Sequence, residues 1–379
     1  MKKYVYPSVQ ALQVAAHKQS GVTLVELLVA ISLGLFLTWG AIEAFLSGKQ
    51  TYSMQQALSR IQENTRIAQE LMGYDVRDAG NYGCAVGRFV ANFNDVNRLS
   101  GTVPNSGSFN PVAELNFAYA VFATNDVSGA ANADTTLLAN LNPVPVAATD
   151  VLITHNATNV ASEVLAGPPL PLPNQFAAPN RGFTTSSILA VSDCTENYIF
   201  TPSAVVGGAT ATITLAAPLP TTPIAGSSVM PLDASIYYIG LNGAGTRSLY
   251  RRLIGGNSEE LLNGVENLQI EVGVDTNNDG VVDLYTTPNA VTPDQWNAWN
   301  DTPGAGDGNI LESPNANPPP APRVEQNVVA IRYSLLMRSN EELLEAPQTY
   351  NYNGAAVTAP DRRLYQVVTS TIGIRSRLN

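Results

Sequence analysis

Residues 18 to 46 read KQSGVTLVELLVAISLGLFLTWGAIEAFL, and the interpretation of the whole chain starts from this stretch. A short polar segment ends at Gly21. An apolar run of about 25 residues follows, and as a helix of roughly 37 Å it is long enough to span a bilayer. One carboxylate, Glu26, interrupts the run near its start. A charged side chain at the centre of a bilayer helix costs on the order of 2.5 to 3.5 kcal/mol, so Glu26 needs a partner or a function.

The charges around the apolar run predict its orientation. Lys2, Lys3 and Lys18 precede it, so the positive-inside rule keeps the N-terminus cytoplasmic and carries everything after Leu46 across the membrane. A secretory signal peptide has a shorter apolar core that is followed by a small-x-small cleavage site. We therefore expect the helix to be retained. The alternative is an ordinary single-pass anchor, in which Glu26 lies near the headgroups without a role.

Length and composition limit what the exported part does. The chain has 379 residues and a formal net charge of -11, and only 13% of its residues are charged. Removing the leader and the helix leaves about 300 residues, enough for one large domain or two modest ones. Nucleic-acid affinity depends on Lys and Arg that displace counterions. We therefore expect no direct nucleic-acid partner.

The apolar run continues into an amphipathic one. Apolar residues recur at helical spacing, with charged residues between them, so that one stripe can pack on a domain while the rest faces water; the stripe consists of Leu58, Ile61, Ala68, Met72 and Val76. No proline occurs between Ser8 and Val103, and Gly34 and Gly40 are the expected weak points. The pattern predicts one continuous helix from about Val22 to Ala79.

Beyond Cys84 the pattern changes to strands and turns. Alternating or β-branched runs predict strands at Leu115–Phe122, Val151–His155, Ser187–Val191, Thr210–Leu215, Ser235–Leu241, Ser248–Ile254, Val265–Val274, Val328–Met337 and Leu364–Ile374. Loops rich in Asn, Gly, Pro and Ala separate them, notably at 100–145, 167–173 and 313–322. A long helix followed by an antiparallel sheet predicts the α+β class.

The N-terminal pattern resembles the type IV prepilin signature, in which a peptidase cuts after the glycine and methylates the new N-terminus. The resemblance implies cleavage between Gly21 and Val22, which makes Glu26 the fifth mature residue. The cut frees an α-amino group at Val22, and the carboxylate of a neighbouring subunit can pair with it inside an apolar core. Glu26 would then set the axial register of an incoming subunit. Val22 departs from the bulkier residue that is usual in the family.

The resemblance extends along the chain to the PilW minor pilins. It is carried by residues 51–64, 75–84, 192–194, 248–252, 264–269, 328–334 and 369–375. It implies a minor pilin of the type IV pilus, a structural subunit of the assembly-priming or tip complex that supports pilus biogenesis and motility or adhesion. Other minor pilins, further pilus subunits, the prepilin peptidase and the inner membrane are the implied partners. The head would be periplasmic first and would later lie in the pilus at the cell surface.

These observations divide the chain into three expected segments. Residues 1–21 form the prepilin leader peptide. Residues 22–80 form the N-terminal helix, with 22–46 in the membrane or filament core and 47–80 amphipathic. Residues 81–379 form an exported, β-rich, pilin-like head on which the helix packs.

The chain has two cysteines, Cys84 and Cys194. An even pair in an exported domain predicts one disulfide, which closes a loop of about 110 residues and contributes about 4 to 5 kcal/mol on the loop-entropy model. The alternative is two buried thiols.

An Asp-rich segment follows the Val265–Val274 run. Oxygen-bearing side chains alternate around Gly280 as in the first part of a calcium loop, and the expected ligands are Asp275, Asn277, Asp279, the Val281 carbonyl and Asp283. Thr286 stands where such loops carry a bidentate glutamate, so the expected affinity is weak, about 10⁻⁴ to 10⁻³ M. The alternative is a plain hairpin turn. No cofactor is required otherwise.

Enzyme classes are disfavoured. The two histidines are His17, in the leader, and His155, at the end of an apolar strand, so no triad or zinc site with a second histidine can form. We expect His155 to be structural and the protein not to be an enzyme. The functional alternatives to an assembly subunit are a tip adhesin, which uses the long loops and calcium, and a type II secretion pseudopilin, which shares the signature.

Overall fold

The computed structural model describes residues 21–83, 120–125, 141–158, 161–165, 174–192, 197–215, 225–277, 279–291 and 327–375. The leader up to residue 20, both cysteines, most of the expected Leu115–Phe122 strand and the loops at 167–173 and 313–322 lie wholly or largely outside these residues. The chain divides into two compact units, Met1–Gln56 and Ala57–Asn379. The three expected segment boundaries stay predictions.

The described residues form one long α-helix and seventeen strands. In chain order they are α1 (Leu24–Asp78), β1 (Val121–Thr124), β2 (Val151–Ala157), β3 (Ser162–Glu163), β4 (Gln175–Pro179), β5 (Leu189–Ser192), β6 (Asn197–Phe200), β7 (Pro202–Gly207), β8 (Thr210–Leu215), β9 (Ser228–Leu241), β10 (Arg247–Leu253), β11 (Ser258–Asn263), β12 (Val265–Asp275), β13 (Leu284–Thr286), β14 (Asn327–Glu342), β15 (Thr349–Tyr352), β16 (Ala355–Thr358) and β17 (Arg363–Gly373). A short 3₁₀ helix spans Pro288–Ala290. The α+β class is confirmed.

The described part of the first unit consists of the three residues before α1 and the beginning of α1. The helix starts two residues later than expected, because Thr23 caps it. Among the described residues, α1 is the helix whose length and apolar composition suffice to cross a membrane. Gly34 and Gly40 lie inside the helix and do not interrupt it.

The second unit contains the end of α1 and the sheets. An eight-stranded sheet is built in the order β1-β2-β9-β10-β11, with β3 and β5 also paired to β9 and β6 paired to β5. A four-stranded sheet has the order β13-β12-β14-β17, and every pairing in it is antiparallel. A three-stranded sheet, β4-β8-β7, and the two-stranded hairpin β15-β16 complete the described part of the unit.

The main core lies where the end of α1 meets the two larger sheets. Six residues of α1 are buried, and they include four of the five stripe residues that the sequence predicts, namely Ile61, Ala68, Met72 and Val76. Leu58, the fifth, keeps 36% of its surface exposed and is the exception. The stripe packs in one cluster with buried residues of β2, β9, β12 and β14. Apolar burial between the stripe and these strands therefore holds this part of the helix on the head.

Most of the expected strands are present with small shifts of their ends. The bounds of β8 agree with the prediction at both ends, and β2, β10, β12 and β17 agree within two residues. β9 begins at Ser228 instead of Ser235 and continues through Pro231. Pro231 lies where β9 changes its partner from β5 to β2, so the missing N–H does not interrupt either ladder. Because proline is uncommon inside a strand, the sequence pattern does not predict a strand across this position.

Several strands were not expected, and one of them carried a usable signal. The hairpin β15-β16 turns at Asn353 and Gly354, which both adopt left-handed φ angles of 51° and 74°. Asn-Gly is the pair that such a two-residue turn requires. The sequence therefore contained the evidence for this hairpin between two short runs of weak β propensity.

Candidate functional site

The candidate functional site begins at the first turn of α1. Glu26 Oε2 accepts hydrogen bonds from the backbone N–H and from the hydroxyl of Thr23, both at 3.0 Å. In return the Glu26 N–H donates to Thr23 Oγ1 at 3.3 Å. This reciprocal arrangement is a capping box, and it places the carboxylate at the positive end of the helix dipole. Thr-x-x-Glu preceding an apolar run was a readable signal that the sequence reasoning missed.

The capping box leaves half of the carboxylate available. Within the described part of the chain, Glu26 Oε1 accepts no hydrogen bond. A carboxylate oxygen that enters an apolar environment without a donor is costly. Glu26 is thus positioned by its own helix and still lacks a partner for one oxygen. The arrangement can accept a cation or a donor from outside the chain.

The expected cleavage point lies immediately before this turn. Gly21 and Val22 precede the helix and are not helical, and both are exposed. A Cβ added at Gly21 would meet no atom within 4 Å among its surroundings. A protease needs accessible backbone, and Gly21 and Val22 are accessible. Processing at this bond stays a prediction.

The apolar part of α1 exposes its side chains on all sides. Large apolar residues from Val22 to Leu46 keep more than half of their surface accessible, with Phe36 at 78%. The hydroxyl groups among them are satisfied within the helix, because Ser32 donates to the Leu28 carbonyl at 2.5 Å and Thr38 to the Gly34 carbonyl at 2.7 Å. A largely apolar helix surface whose hydroxyl groups are satisfied internally suits lipid or other apolar helices as its surroundings.

A polar contact anchors the end of α1 to the head. Asp75 Oδ2 accepts a hydrogen bond of 2.6 Å from the Tyr237 hydroxyl, and both side chains are buried. Burial raises the pKa of Tyr237, and the neighbouring Asp75 carboxylate raises it further. Burial also raises the pKa of Asp233, which lies in β9 as Tyr237 does. No local pattern indicates this contact, since its partners are 162 positions apart in the chain.

The Asp-rich segment forms the loop between β12 and β13. Asp275 Oδ2 accepts from the Gly280 N–H at 2.7 Å, and Asp279 Oδ1 accepts from the Val281 N–H at 2.8 Å. Gly280 has a φ of 81°, as the sharp turn requires. Two of the proposed carboxylates therefore fold the loop through backbone N–H groups.

The last carboxylate of the loop is turned toward its start. Asp283 Oδ2 accepts from the hydroxyl and the N–H of Thr276, at 2.6 and 2.8 Å, and these bonds lower the pKa of Asp283, the hydroxyl most. Among the described residues, no group of three or more carboxylate, histidine or cysteine side chains converges as a metal site. The β12-β13 pairing shows that a hairpin is present. Calcium binding by Asp275, Asn277, Asp279, Val281 and Asp283 stays a prediction.

The two cysteines lie outside the described residues, but their neighbours meet. Gly83 precedes Cys84, and Ser192 lies two residues before Cys194. A Cβ built on Gly83 would lie 2.6 Å from Ser192 Cβ, closer than side chains tolerate, and Gly83 has a φ of 121°. Glycine is therefore required at this close approach. The disulfide stays a prediction.

His155 lies in β2 and is fully buried, in keeping with the structural role expected from the sequence. Its backbone carbonyl accepts from the Gly80 N–H at 2.7 Å and so helps to hold the segment after α1.

Comparison with known proteins gives two family matches. The family described as Type IV Pilus-assembly protein W, or PilW, matches residues 236–376, from within β9 to the residue after Arg375. The Prokaryotic N-terminal methylation motif matches residues 16–42, which include the expected cleavage point, the capping box and most of the apolar helix. No curated protein matches the chain, and no solved structure does.

Proposed function

Because the chain belongs to the PilW-like type IV pilins, we propose that it is a structural subunit of the complex that primes pilus assembly or caps the pilus tip. The observation that carries this proposal is the first turn of α1. There the expected processing point, a capped carboxylate and the start of an apolar helix surface follow one another within six residues. The pilin families that match are structural, and the chain is assigned no catalytic step.

The proposed mechanism starts in the inner membrane. The apolar half of α1 spans it, with the N-terminus cytoplasmic and the head periplasmic. Prepilin peptidase cuts between Gly21 and Val22, which leaves a free α-amino group at Val22. The capping box holds the Glu26 carboxylate at a fixed height on the helix.

Docking then pairs charges between subunits. Glu26 of one subunit faces the free amine of its neighbour, and Oε1 supplies the acceptor. Either charge alone in an apolar core is costly, whereas a hydrogen-bonded pair is tolerated. Only the register that brings the two together is therefore stable. The head stays outside the core and contacts other minor pilins.

A second candidate function is a tip adhesin. An open cavity of about 470 Å³ in the head favours it, with Asp233, Arg252, Ser186 and Ser187 among its lining residues. A carboxylate, a guanidinium and hydroxyls together suit a polar surface ligand. In this case the long loops and the Asp-rich loop would supply specificity, and pili would form without them. A third candidate, a pseudopilin of type II secretion, shares the N-terminal features.

One set of strains separates these candidates. A deletion strain is complemented with the wild type, Glu26→Ala, or Glu43→Ala, which removes a second exposed carboxylate from the same apolar segment and serves as the control. Pili, twitching motility and exoprotein release are scored together. The proposal predicts that Glu26→Ala loses pili and motility while Glu43→Ala keeps them.

The other outcomes contradict the proposal. Loss of exoprotein release alone would identify a pseudopilin. Normal piliation of the deletion strain, with attachment to surfaces lost, would identify an adhesin.

A further inference from the structure

We propose that the outward edge of β17 binds an extended, acidic segment of another pilus subunit as an added β-strand. This inference rests on the proposed function, because it requires assembly with other subunits. β17 is the last strand of the four-stranded sheet and, within the described residues, it pairs along one side only, with β14. Its other side presents a row of backbone donors and acceptors.

Hydrogen bonds on the two sides of β17 show which of its backbone groups point outward. On the β14 side, the Ile374 N–H just after the strand donates to the Val329 carbonyl at 2.9 Å. On the other side, the Tyr365 N–H donates to Gln348 Oε1 at 3.0 Å, and the Tyr365 carbonyl accepts from Gln348 Nε2 at 2.8 Å. Backbone groups alternate between the two sides of a strand. The backbone N–H and C=O groups of even-numbered residues of β17 therefore point toward β14, and those of odd-numbered residues point outward.

The outward groups beyond Tyr365 are open. They belong to Val367, Thr369, Thr371 and Gly373, and within the described part of the chain their N–H and C=O groups make no hydrogen bond on that side. Thr369 and Thr371 are exposed. The Gln348 side-chain amide bonds the N–H and the C=O of Tyr365 at one end of the edge, in the way that the backbone of a neighbouring strand would. A guest strand of about seven residues, roughly 20 Å long, would fill the remainder.

The side chains on the two faces of β17 indicate what each residue of the guest strand would contact. Thr369 and Thr371 project to the polar face, where the Thr371 hydroxyl accepts from Arg332 Nε at 3.3 Å. Ile372 projects to the opposite face and is buried beneath α1, with its Cδ1 3.5 Å from where a Cβ on Gly73 would lie. Alternate residues of the guest would thus meet threonines on one face and the helix on the other.

The charge beside the edge selects an acidic guest. Head arginines are mostly in ion pairs with carboxylates, namely Arg247, Arg251, Arg332, Arg338, Arg362 and Arg363. Arg77 and Arg375 make no ion pair within the described residues, although the chain carries a net charge of -11. The Arg77 guanidinium lies 3.4 Å from the same Gly73 Cβ position, hence beside Ile372, and Arg375 follows the end of β17. Two arginines that make no ion pair with any described carboxylate therefore lie near β17, Arg77 beside Ile372 on the helix side and Arg375 after the strand's end.

The guest strand belongs to a different pilus subunit and not to a second copy of this chain. A second copy of this chain that paired edge to edge would bring its own Arg77 and Arg375 to the same seam, and like charges across an interface disfavour pairing. A segment with carboxylates at the helix-facing positions would neutralise them instead. The backbone pairs would supply affinity, and the charges would select the partner.

Thr369→Pro is the variant that tests the edge. Proline removes the outward N–H at 369, while the bonds to β14 are made by its neighbours, and an edge strand tolerates proline at such a position. Thr369→Val is the matched control, because it keeps the N–H and the β-branched shape. Circular dichroism of both full-length proteins in detergent checks that they fold. Arg77→Glu tests separately whether the positive charge near the edge is needed to bind the acidic guest.

The measurement is hydrogen exchange at single-residue resolution. It compares the full-length chain purified alone in detergent with the same chain isolated in its complex with the other pilus subunits. We expect the outward amides of Val367, Thr369 and Thr371 to exchange at least about tenfold more slowly in the complex, with the inward amides slow in both. Thr369→Pro and Arg77→Glu should each remove this protection, and Thr369→Val should keep it.

Three results would overturn the inference. Equal, fast exchange in both states would mean that the edge stays open. Slow exchange in the chain purified alone would mean that one of its own segments covers the edge. Cross-links between isotopically labelled and unlabelled copies through β17 would identify a second copy. In each case the proposed function stands if the chain still isolates with other pilus subunits, and failure of that co-isolation would contradict the proposed function instead.

Discussion

Glu26→Gln separates the two roles that the structure allows for this residue, helix capping and subunit docking. The Gln side chain has nearly the same shape, and its amide oxygen can accept both bonds that Thr23 donates to Oε2. The capping box therefore survives, and what is lost is the negative charge. Thr23→Ala does the opposite, since it removes the hydroxyl of the cap and leaves the carboxylate charged.

The magnitudes of the two changes differ enough to be distinguished. Loss of a capping hydroxyl costs about 1 kcal/mol, or roughly a factor of five in an equilibrium. Loss of the carboxylate leaves the amine of a docked neighbour as an uncompensated charge in an apolar core. Removing one partner of a buried pair costs about 3 to 5 kcal/mol, which is about a hundredfold or more in the docking equilibrium. Glu26→Gln should therefore be much the more severe change.

The assay uses a deletion strain that expresses each variant at the wild-type level, as checked by immunoblot. Sheared pili, twitching zones and co-isolation with other minor pilins are measured. We expect Thr23→Ala to reduce piliation severalfold at most and Glu26→Gln to abolish it. Wild-type piliation with Glu26→Gln would refute docking by charge. Equal defects in the two variants would show that capping is the whole role of Glu26.

Three further predictions concern the head. Tyr237→Phe should lower the free energy of unfolding by about 1.5 to 3 kcal/mol, because it leaves the buried Asp75 carboxylate without its 2.6 Å donor, and an unchanged denaturant midpoint in detergent would contradict this. Peptide mapping without reductant should recover Cys84 and Cys194 in one linked peptide pair, as the approach of Gly83 and Ser192 supports, whereas two alkylatable thiols would exclude the bridge. Calcium at about ten times its dissociation constant should stabilise the wild type by about 1.4 kcal/mol and Asp279→Ala by much less, and an equal response in both proteins would identify a plain hairpin.

The long helix was predictable because two independent patterns mark it. The apolar run fixes its first half, and the spacing of Ile61, Ala68, Met72 and Val76 fixes the second. The strands with alternating or β-branched runs, such as β8 and β12, were found because a period of two residues marks them. The exceptions have local causes, since Pro231 obscures the first half of β9 and the Asn353-Gly354 turn signal between β15 and β16 was not used.

The functional features differ in how far the sequence alone predicts them. The expected cleavage point and Glu26 lie within six residues of each other, so their relation is visible in the sequence, and the Thr23 cap was equally visible. The Asp75 and Tyr237 contact and the open edge of β17 depend on which strands become neighbours. Local patterns carry no information on such long-range pairings, because the order of strands in a sheet is set by the packing of the whole domain.

The N-terminus of the mature chain tests the central claim most directly. Mass spectrometry of the protein isolated from membranes and pili should show a chain that begins at Val22 and carries one methyl group on its α-amino nitrogen. A chain that still begins at Met1 would leave no free amine for Glu26 of a neighbour and would contradict assembly by this mechanism.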